Sequence, residues 1–283
     1  MKKRFLVLFL VFALVCISIA AYAAESGWKE KLAQEIAAAQ FDAGVFVLDV
    51  AGNDKYEHNA DKRFSSASII KLFVLQELFN QVKKGEVKLS DTIVFDHSKA
   101  VDGGMLHKFS SGAIFRLEDL ALFMLAVSCN TATNLLIDHL GMDKINASIQ
   151  AMGAKETVLG RKMLDFEARK AGRDNFTTAG ETGKLLAGFL KEDPRILDML
   201  SLQKDTSKLP ANLGFDDADD LEPVIAHKTG ELPGFYHDAA IFFYASPKPV
   251  VVVVLTGGVP DLITGCEFIA RIGKIVYDAF LVK

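Results

Sequence analysis

Cysteine is scarce in this chain. Three occur in 283 residues, and one of them, Cys16, sits in the N-terminal apolar run. The other two, Cys129 and Cys266, are too few for a disulfide framework, although an exported chain would have the redox setting to pair them. Histidine is sparse as well. The six are scattered, with no H-x-H or H-E-x-x-H spacing, so no metal site is expected. Positive charge is not in excess. Thirty-two Lys and Arg against 36 Asp and Glu leave a net charge of -4, which argues against a nucleic-acid partner. No repeat or low-complexity segment is found.

The chain does have an exported-type start. Lys2, Lys3 and Arg4 precede an apolar run from Phe5 to Ala20, and Ala21-Tyr22-Ala23 supplies small residues around a cleavage point. This pattern predicts a signal peptide over 1–23, with an uncleaved anchor helix as the alternative. Cys16 lacks the small residue before it that a lipoprotein site needs. No membrane span is expected after cleavage. Half of the residues are apolar, enough for one large domain or two intimate lobes.

The mature part begins with Trp28, Leu32, Ile36 and Ala39 at helical spacing. Strands are predicted over Ala43–Val50 and Lys55–Asn59, joined by a Gly52-Asn53-Asp54 turn. The middle reads as helical. Lys71–Phe79, Leu117–Val127 and Thr131–Leu140 form apolar runs, Gly141 stops the last, and Thr178-Ala179-Gly180-Glu181 has capping-box form before a helix reaching Phe189. Strands return at Val224–Lys228, His237–Tyr244 and Pro249–Thr256, followed by a helix over Ile263–Phe280. Strands at both ends with helices between predict an α/β (α+β) fold: an antiparallel sheet flanked by helices, with an inserted helical lobe. The expected division is one catalytic domain over 24–283, its α/β lobe covering about 25–66 and 205–283 and its helical lobe about 67–204. The stretch Asp205–Leu221, with Asp216, Asp217, Asp219 and Asp220, reads as a solvated loop without a Ca²⁺-loop spacing.

Three short motifs carry the chemistry: Ser68-Ile69-Ile70-Lys71, Ser128-Cys129-Asn130 and Lys228-Thr229-Gly230. S-x-x-K also occurs at Ser26 and Ser201, so its setting matters more than its presence. Ser68 stands where a loop enters an apolar helix, and helical i,i+3 spacing brings the Lys71 amine to its hydroxyl. Serine attacks only once a base removes its proton, and lysine is a base only where burial or nearby cations lower its pKa. Ser128 and Asn130 fall in a break between two helices, where a hydroxyl can shuttle a proton and an amide can orient substrate. Lys228-Thr229-Gly230 is predicted to close a strand. Lys228 and Thr229 suit a substrate carboxylate, Gly230 admits close approach, and the N–H of Glu231 faces that of Ser68 as a second oxyanion donor. His227 and His237 read as satisfied strand histidines, and Cys129 as a small buried neighbour of Ser128.

This ordered triple resembles the penicillin-recognising serine enzymes, the class A β-lactamases and the related D-alanyl-D-alanine peptidases. Ser128–Ile137, Asp102-Gly103-Gly104-Met105-Leu106 and His227–Gly230 share the likeness, with Cys129 where the family usually has Asp. The resemblance implies acylation of Ser68 by a β-lactam or a D-Ala-D-Ala-type peptide, with no cofactor; together with the signal-type start, an exported, periplasmic or extracellular monomer is expected. One departure stands out. Anchoring on Arg161 puts Met163 where class A enzymes carry the glutamate that activates the deacylating water. Glu167 or Asp165 could substitute, or both could form loop salt bridges with Arg161, Arg169 or Arg173. A β-lactamase is the first expectation; a D,D-peptidase or transpeptidase and a non-turnover penicillin sensor are the alternatives.

Overall fold

The computed structural model describes residues 27–52, 54–214 and 225–281. The expected signal segment, the aspartates at 216–220 and Val224 lie outside the described residues. In chain order, helix α1 (27–38) leads to strands β1 (Asp42–Asp49), β2 (Lys55–His58) and β3 (Phe64–Ser65). A 3₁₀ turn, Ala67–Ile70, runs directly into α2 (Lys71–Lys83). The short strands β4 (Thr92–Val94) and β5 (Ile114–Arg116) pair with each other, followed by α3 (Leu117–Ala126), α4 (Asn130–Leu140) and α5 (Met142–Ala151). Next come α6 (Phe166–Lys170), β6 (Phe176–Thr177), α7 (Ala179–Phe189) and α8 (Arg195–Ser201). The chain closes with β7 (Ile225–Leu232), β8 (Phe235–Phe242), β9 (Val250–Gly257) and α9 (Leu262–Leu281).

The main sheet is antiparallel throughout, in the order β2-β1-β9-β8-β7. Its middle strand, β9, carries five consecutive valines, all fully buried. β-branched side chains suit a pleated surface covered on both faces. One face, with Val45, Val47, Phe242 and Val252, packs on Trp28 and Leu32 of α1 and on Phe268 and Ile272 of α9. The other face, with Phe46, Ala239, Ile241 and Val253, joins the core formed by α2, α3, α4 and α7. Helix α7 lies directly on the sheet although it falls within 67–204. A Cβ on Gly183 would come within 2.2 Å of the Phe46 ring.

Local signals held where hydrogen bonding is local. Gly141 ends α4 at φ +88°, and Thr178 caps α7 by accepting from Glu181 N at 3.1 Å. The other half of the capping box is absent. The Glu181 carboxylate accepts from Glu156 N and Thr157 Oγ1 at 3.0 and 2.6 Å, tying α7 to the preceding loop instead. Three strand ends differ from expectation by two residues or more. β7 continues past the Lys228 motif to Leu232 because Pro233-Gly234 turns it into a hairpin with β8, which therefore starts at Phe235. β8 stops at Phe242, and Phe243 turns off the strand at φ +55°. Among the described residues no helix is long and apolar enough to cross a membrane.

Candidate active site

The 3₁₀ turn places Ser68 one turn ahead of the fully buried Lys71. Ser66 N donates to Asn175 O at 2.8 Å and fixes the entry to this turn. Ala67 is held at φ +46°, in the left-handed region that a side chain disfavours. Ser128 is left-handed too, at φ +52°, between α3 and α4. Such backbone persists only where surrounding contacts over-determine it, and here it aims two hydroxyls at each other. Ser128 Oγ donates to Ser68 Oγ at 3.0 Å.

Lys71 Nζ donates to Ser128 O (2.7 Å), Asn130 Oδ1 (2.9 Å) and Ser128 Oγ (3.0 Å). Its expected direct bond to Ser68 is not made. The Ser68 hydroxyl meets Ser128, and Ser128 meets the lysine. Burial, reinforced by the positive charge of Lys228, pushes Lys71 well below the ordinary lysine range. A neutral Lys71 would still use two N–H groups on Ser128 O and Asn130 Oδ1. Its lone pair would then face Ser128 Oγ.

Lys228 is also fully buried. It donates to Thr229 O at 2.8 Å and to Ser128 Oγ at 3.2 Å. Burial lowers its pKa to about 8, and the Asp238 and Asp205 carboxylates stop it from falling further. Asp238 faces His227 Nδ1 at 3.1 Å and accepts from Leu209 N at 3.1 Å. His237 is buried and bonded to Ser65 O through Nε2 at 2.8 Å, and burial pushes its pKa down to about 4. Both histidines are buried in strands; His237 is satisfied at both ring nitrogens as expected, whereas His227 Nε2 has no partner among the described residues.

β7 is an edge strand, which decides where its peptides point. Tyr236, the partner of Glu231, donates its N–H to Thr256 Oγ1 on the β9 side. In an antiparallel ladder alternate pairs are hydrogen-bonded, so the Glu231 pair is not, and its N–H and C=O face away from β8 toward the cleft. Gly230 lets this edge approach the 3₁₀ turn. A Cβ there would lie 3.2 Å from Ser68 N and 3.1 Å from the Ile69 side chain.

The opposite wall is the segment 102–105. Asn130 N donates to Gly103 O at 3.2 Å, and Asn130 Nδ2 to Asp102 O at 2.9 Å. Gly104, at φ +84°, lies so close that a Cβ would sit 2.4 Å from Cys129 Cα. Cys129 is fully buried, Cys266 is part-exposed elsewhere, and both are free thiols. The resulting cleft, about 490 Å³, is lined by Ser68, Ser128, Asn130, Thr229, Gly230 and Glu231 among others. Of the eight expected residues other than Glu167, six thus line it, and the other two, Lys71 and Lys228, reach it by hydrogen bonds to Ser128 Oγ.

Glu167 is elsewhere. Its side chain is 83 % exposed and paired with Lys170 at 2.7 Å. Asp165 caps α6 by accepting from Ala168 N at 2.9 Å. Neither carboxylate pairs with Arg161, Arg169 or Arg173. A small pocket of about 60 Å³ beside Ser68 is instead walled by Met163, Leu164, Phe166, Arg161 and Asn175. Asn134 holds Met163 by both backbone groups, accepting from its N at 2.7 Å and donating to its O at 3.2 Å.

The loop carrying Met163 is pinned by a pair the sequence did not reveal. Arg161 bonds Asp174 at 2.7 Å, and Ser65 Oγ donates to the same carboxylate at 2.7 Å. Both side chains are at most 10 % exposed. Breaking such a pair leaves a buried charge without compensation, so Asp174→Asn is expected to lower unfolding stability by roughly 3 kcal/mol. Denaturant unfolding of the two proteins checks this, and a change below about 1 kcal/mol would show the pair to be dispensable.

Residues 28–280 match the β-lactamase enzyme family, and the chain belongs to that family. It is 28% identical over 151 residues to β-lactamase CARB-3 of Pseudomonas aeruginosa, covering 51% of this chain and 52% of the relative. A β-lactamase of Amycolatopsis lactamdurans is 25% identical over 229 residues, covering 77% of this chain and 74% of the relative. The chain spans about half the length of the first curated relatives it matches. Among solved structures, the β-lactamase from Sphaerobacter thermophilus DSM 20745 superposes with a TM-score of 0.80 at 28% identity, over 89% of this chain and 97% of that one.

Proposed function

We propose that this chain is a serine hydrolase that opens β-lactam rings through an acyl-enzyme at Ser68. The observation that carries the reading is the hydrogen-bonded chain from Ser68 through Ser128 to Lys71, with Lys228 on the same hydroxyl. With Lys71 neutral, the two hydroxyls turn so that Ser68 donates to Ser128 and Ser128 to Lys71, and the Ser68 proton passes to Ser128 as the Ser128 proton passes to Lys71. Ser68 Oγ then bonds the lactam carbonyl carbon. The oxyanion is met by the N–H groups of Ser68 and Glu231. The C–N bond breaks, and the proton returns from Lys71 through Ser128 to the leaving nitrogen. Lys228 and Thr229 hold the substrate carboxylate and Asn130 its amide. Water then cleaves the ester. On this reading the protein is exported, works as a monomer on a small molecule, and holds its site between the sheet and the helical lobe, 24–283 being one catalytic unit.

A second reading, a D-alanyl-D-alanine peptidase acting on cell-wall peptides, is favoured by the apolar wall at Met163, Leu164 and Phe166. No carboxylate of the 160–175 loop is aimed at the ester. Glu167 has no role in either reading.

The test is intact mass of the mature protein over time with benzylpenicillin, and Ser68→Ala as control. One adduct per chain that forms and disappears as antibiotic is consumed supports hydrolysis. A persistent adduct favours the peptidase. No adduct, or an equal adduct on Ser68→Ala, removes both readings.

The carboxylate role of Lys228 has its own signature. It binds an anion only while protonated, and its pKa is about 8. The apparent dissociation constant for benzylpenicillin is therefore expected to rise about tenfold per pH unit above that value. The first-order acylation constant should change less. The opposite split would place Lys228 in the chemical step.

A further inference from the structure

Lys208 is completely buried, and no step above uses it. Its ammonium has three N–H groups and meets three acceptors: Glu231 Oε1 at 2.6 Å, Asp205 Oδ2 at 2.7 Å and Ser207 Oγ at 3.3 Å. Asp205 and Glu231 both line the cleft. Against burial, which would push Lys208 down, the two carboxylates hold it above the ordinary lysine range. Against burial, which would push Asp205 up, Lys208 holds it well below the usual carboxylate range. The expected solvated loop is thus, over 205–209, an anchored strap, because letting go of either carboxylate would leave buried charge without its partner.

The strap touches both walls of the cleft. On the helical side Lys204 N donates to Ala126 O at 3.0 Å and Gln203 Nε2 to Leu125 O at 3.0 Å, at the end of α3 just before Ser128. On the sheet side Lys208 grips Glu231, and Leu209 N bonds Asp238 of β8. Glu231 needs such a grip. Its peptide lies on the edge of β7, where no further strand among the described residues orients it, two residues before the Pro233-Gly234 turn.

We propose that Lys208 is a positioning residue: by holding the Glu231 side chain from the strap, it fixes the Glu231 N–H against that of Ser68 and so sets the acylation rate without touching substrate. This rests on the reading of Ser68 as the acylated serine.

The experiment measures the first-order acylation constant and the apparent dissociation constant for benzylpenicillin separately, by rapid quench and intact mass, together with the melting midpoint. The mature chain is compared with four variants: Lys208→Met, Glu231→Leu, Glu231→Gln and the neutral triple Asp205→Asn/Lys208→Met/Glu231→Gln. A displaced rather than deleted oxyanion donor should cost roughly 10- to 100-fold in the first-order constant. Lys208→Met and Glu231→Leu are expected to show that loss, with the dissociation constant moving less than about threefold. Glu231→Gln, whose amide oxygen still accepts from Lys208, should recover most of what Glu231→Leu loses. The neutral triple should stay slow. If Lys208→Met does not fold, the partly exposed Glu231→Leu carries the test.

Wild-type rates in Lys208→Met would overturn the proposal. So would recovery in the neutral triple, since charge rather than grip would then be at work. Equal loss of rate, affinity and melting midpoint would reduce Lys208 to general stability. A wild type that is never acylated would instead remove the reading of Ser68, and the role of Lys208 with it.

Discussion

Lys71→Met is expected to slow acylation of Ser68 by benzylpenicillin by roughly 10²–10⁴-fold, the range of general-base assistance. The wild-type hydroxyl pair meets two buried amines, Lys71 and Lys228, and Lys71 is the nearer to Ser128 Oγ, at 3.0 against 3.2 Å. Ser68 Oγ reaches Ser128 Oγ, Ser128 Oγ reaches Lys71 Nζ, and burial beside Lys228 lowers the Lys71 pKa. Methionine fills a similar volume without a lone pair of comparable basicity. It also leaves Ser128 O and Asn130 Oδ1 without their donor, at about 1–3 kcal/mol. Melting midpoints must therefore accompany the rates. The discriminating readout is the pH profile. In the wild type the acylation constant should rise with pH as Lys71 loses its proton, at a pH well below the ordinary lysine value. In the variant that rise should vanish. A Lys71→Met protein that acylates within a few-fold of wild type and keeps the rise would place the base elsewhere.

Met163→Glu is expected to shorten the life of the benzylpenicillin adduct by roughly 10²–10⁴-fold, for the same reason applied to the second half-reaction. Met163 walls the small pocket that also touches Ser68, and its backbone is held at both ends by Asn134. A carboxylate placed there would project from a fixed backbone toward water approaching the ester. Burial should raise its pKa, since Met163 is only 6% exposed, which makes it a stronger base once ionised. The change should leave acylation within a few-fold, because Met163 bonds only Asn134 and makes no hydrogen bond to the Ser68–Ser128–Lys71 chain. Mass spectrometry after removal of free antibiotic follows the decay. Unchanged decay would mean that something other than a missing carboxylate limits deacylation.

Much of the site was legible because it consists of local signals. An apolar helix entered by Ser68, a helix break at Ser128 and a strand at Lys228 each follow from neighbours within one element. The one misplaced candidate, Glu167, shows the limit. Its loop is ordered by Arg161 with Asp174, thirteen residues apart and without periodicity, so nothing local told which carboxylate would face inward. Lys208 was equally silent, a lone lysine before Leu209-Pro210 in a polar stretch.

The sequence by itself determined the five strands of the main sheet, most of the longer helices, their order, and the chemical types of the motif residues, because propensity, capping and hydrophobic period act over a few residues; the two-stranded pairs β3–β6 and β4–β5 and helices α5, α6 and α8 were not read from it. Only the tertiary structure decided the proton path and the faces of the cleft. Ser128 meets Ser68 across 60 residues and Lys228 across 100, and the strap meets Glu231 across 23. Packing chose those partners: a buried donor must find an acceptor wherever the fold brings one, and that choice belongs to the whole core.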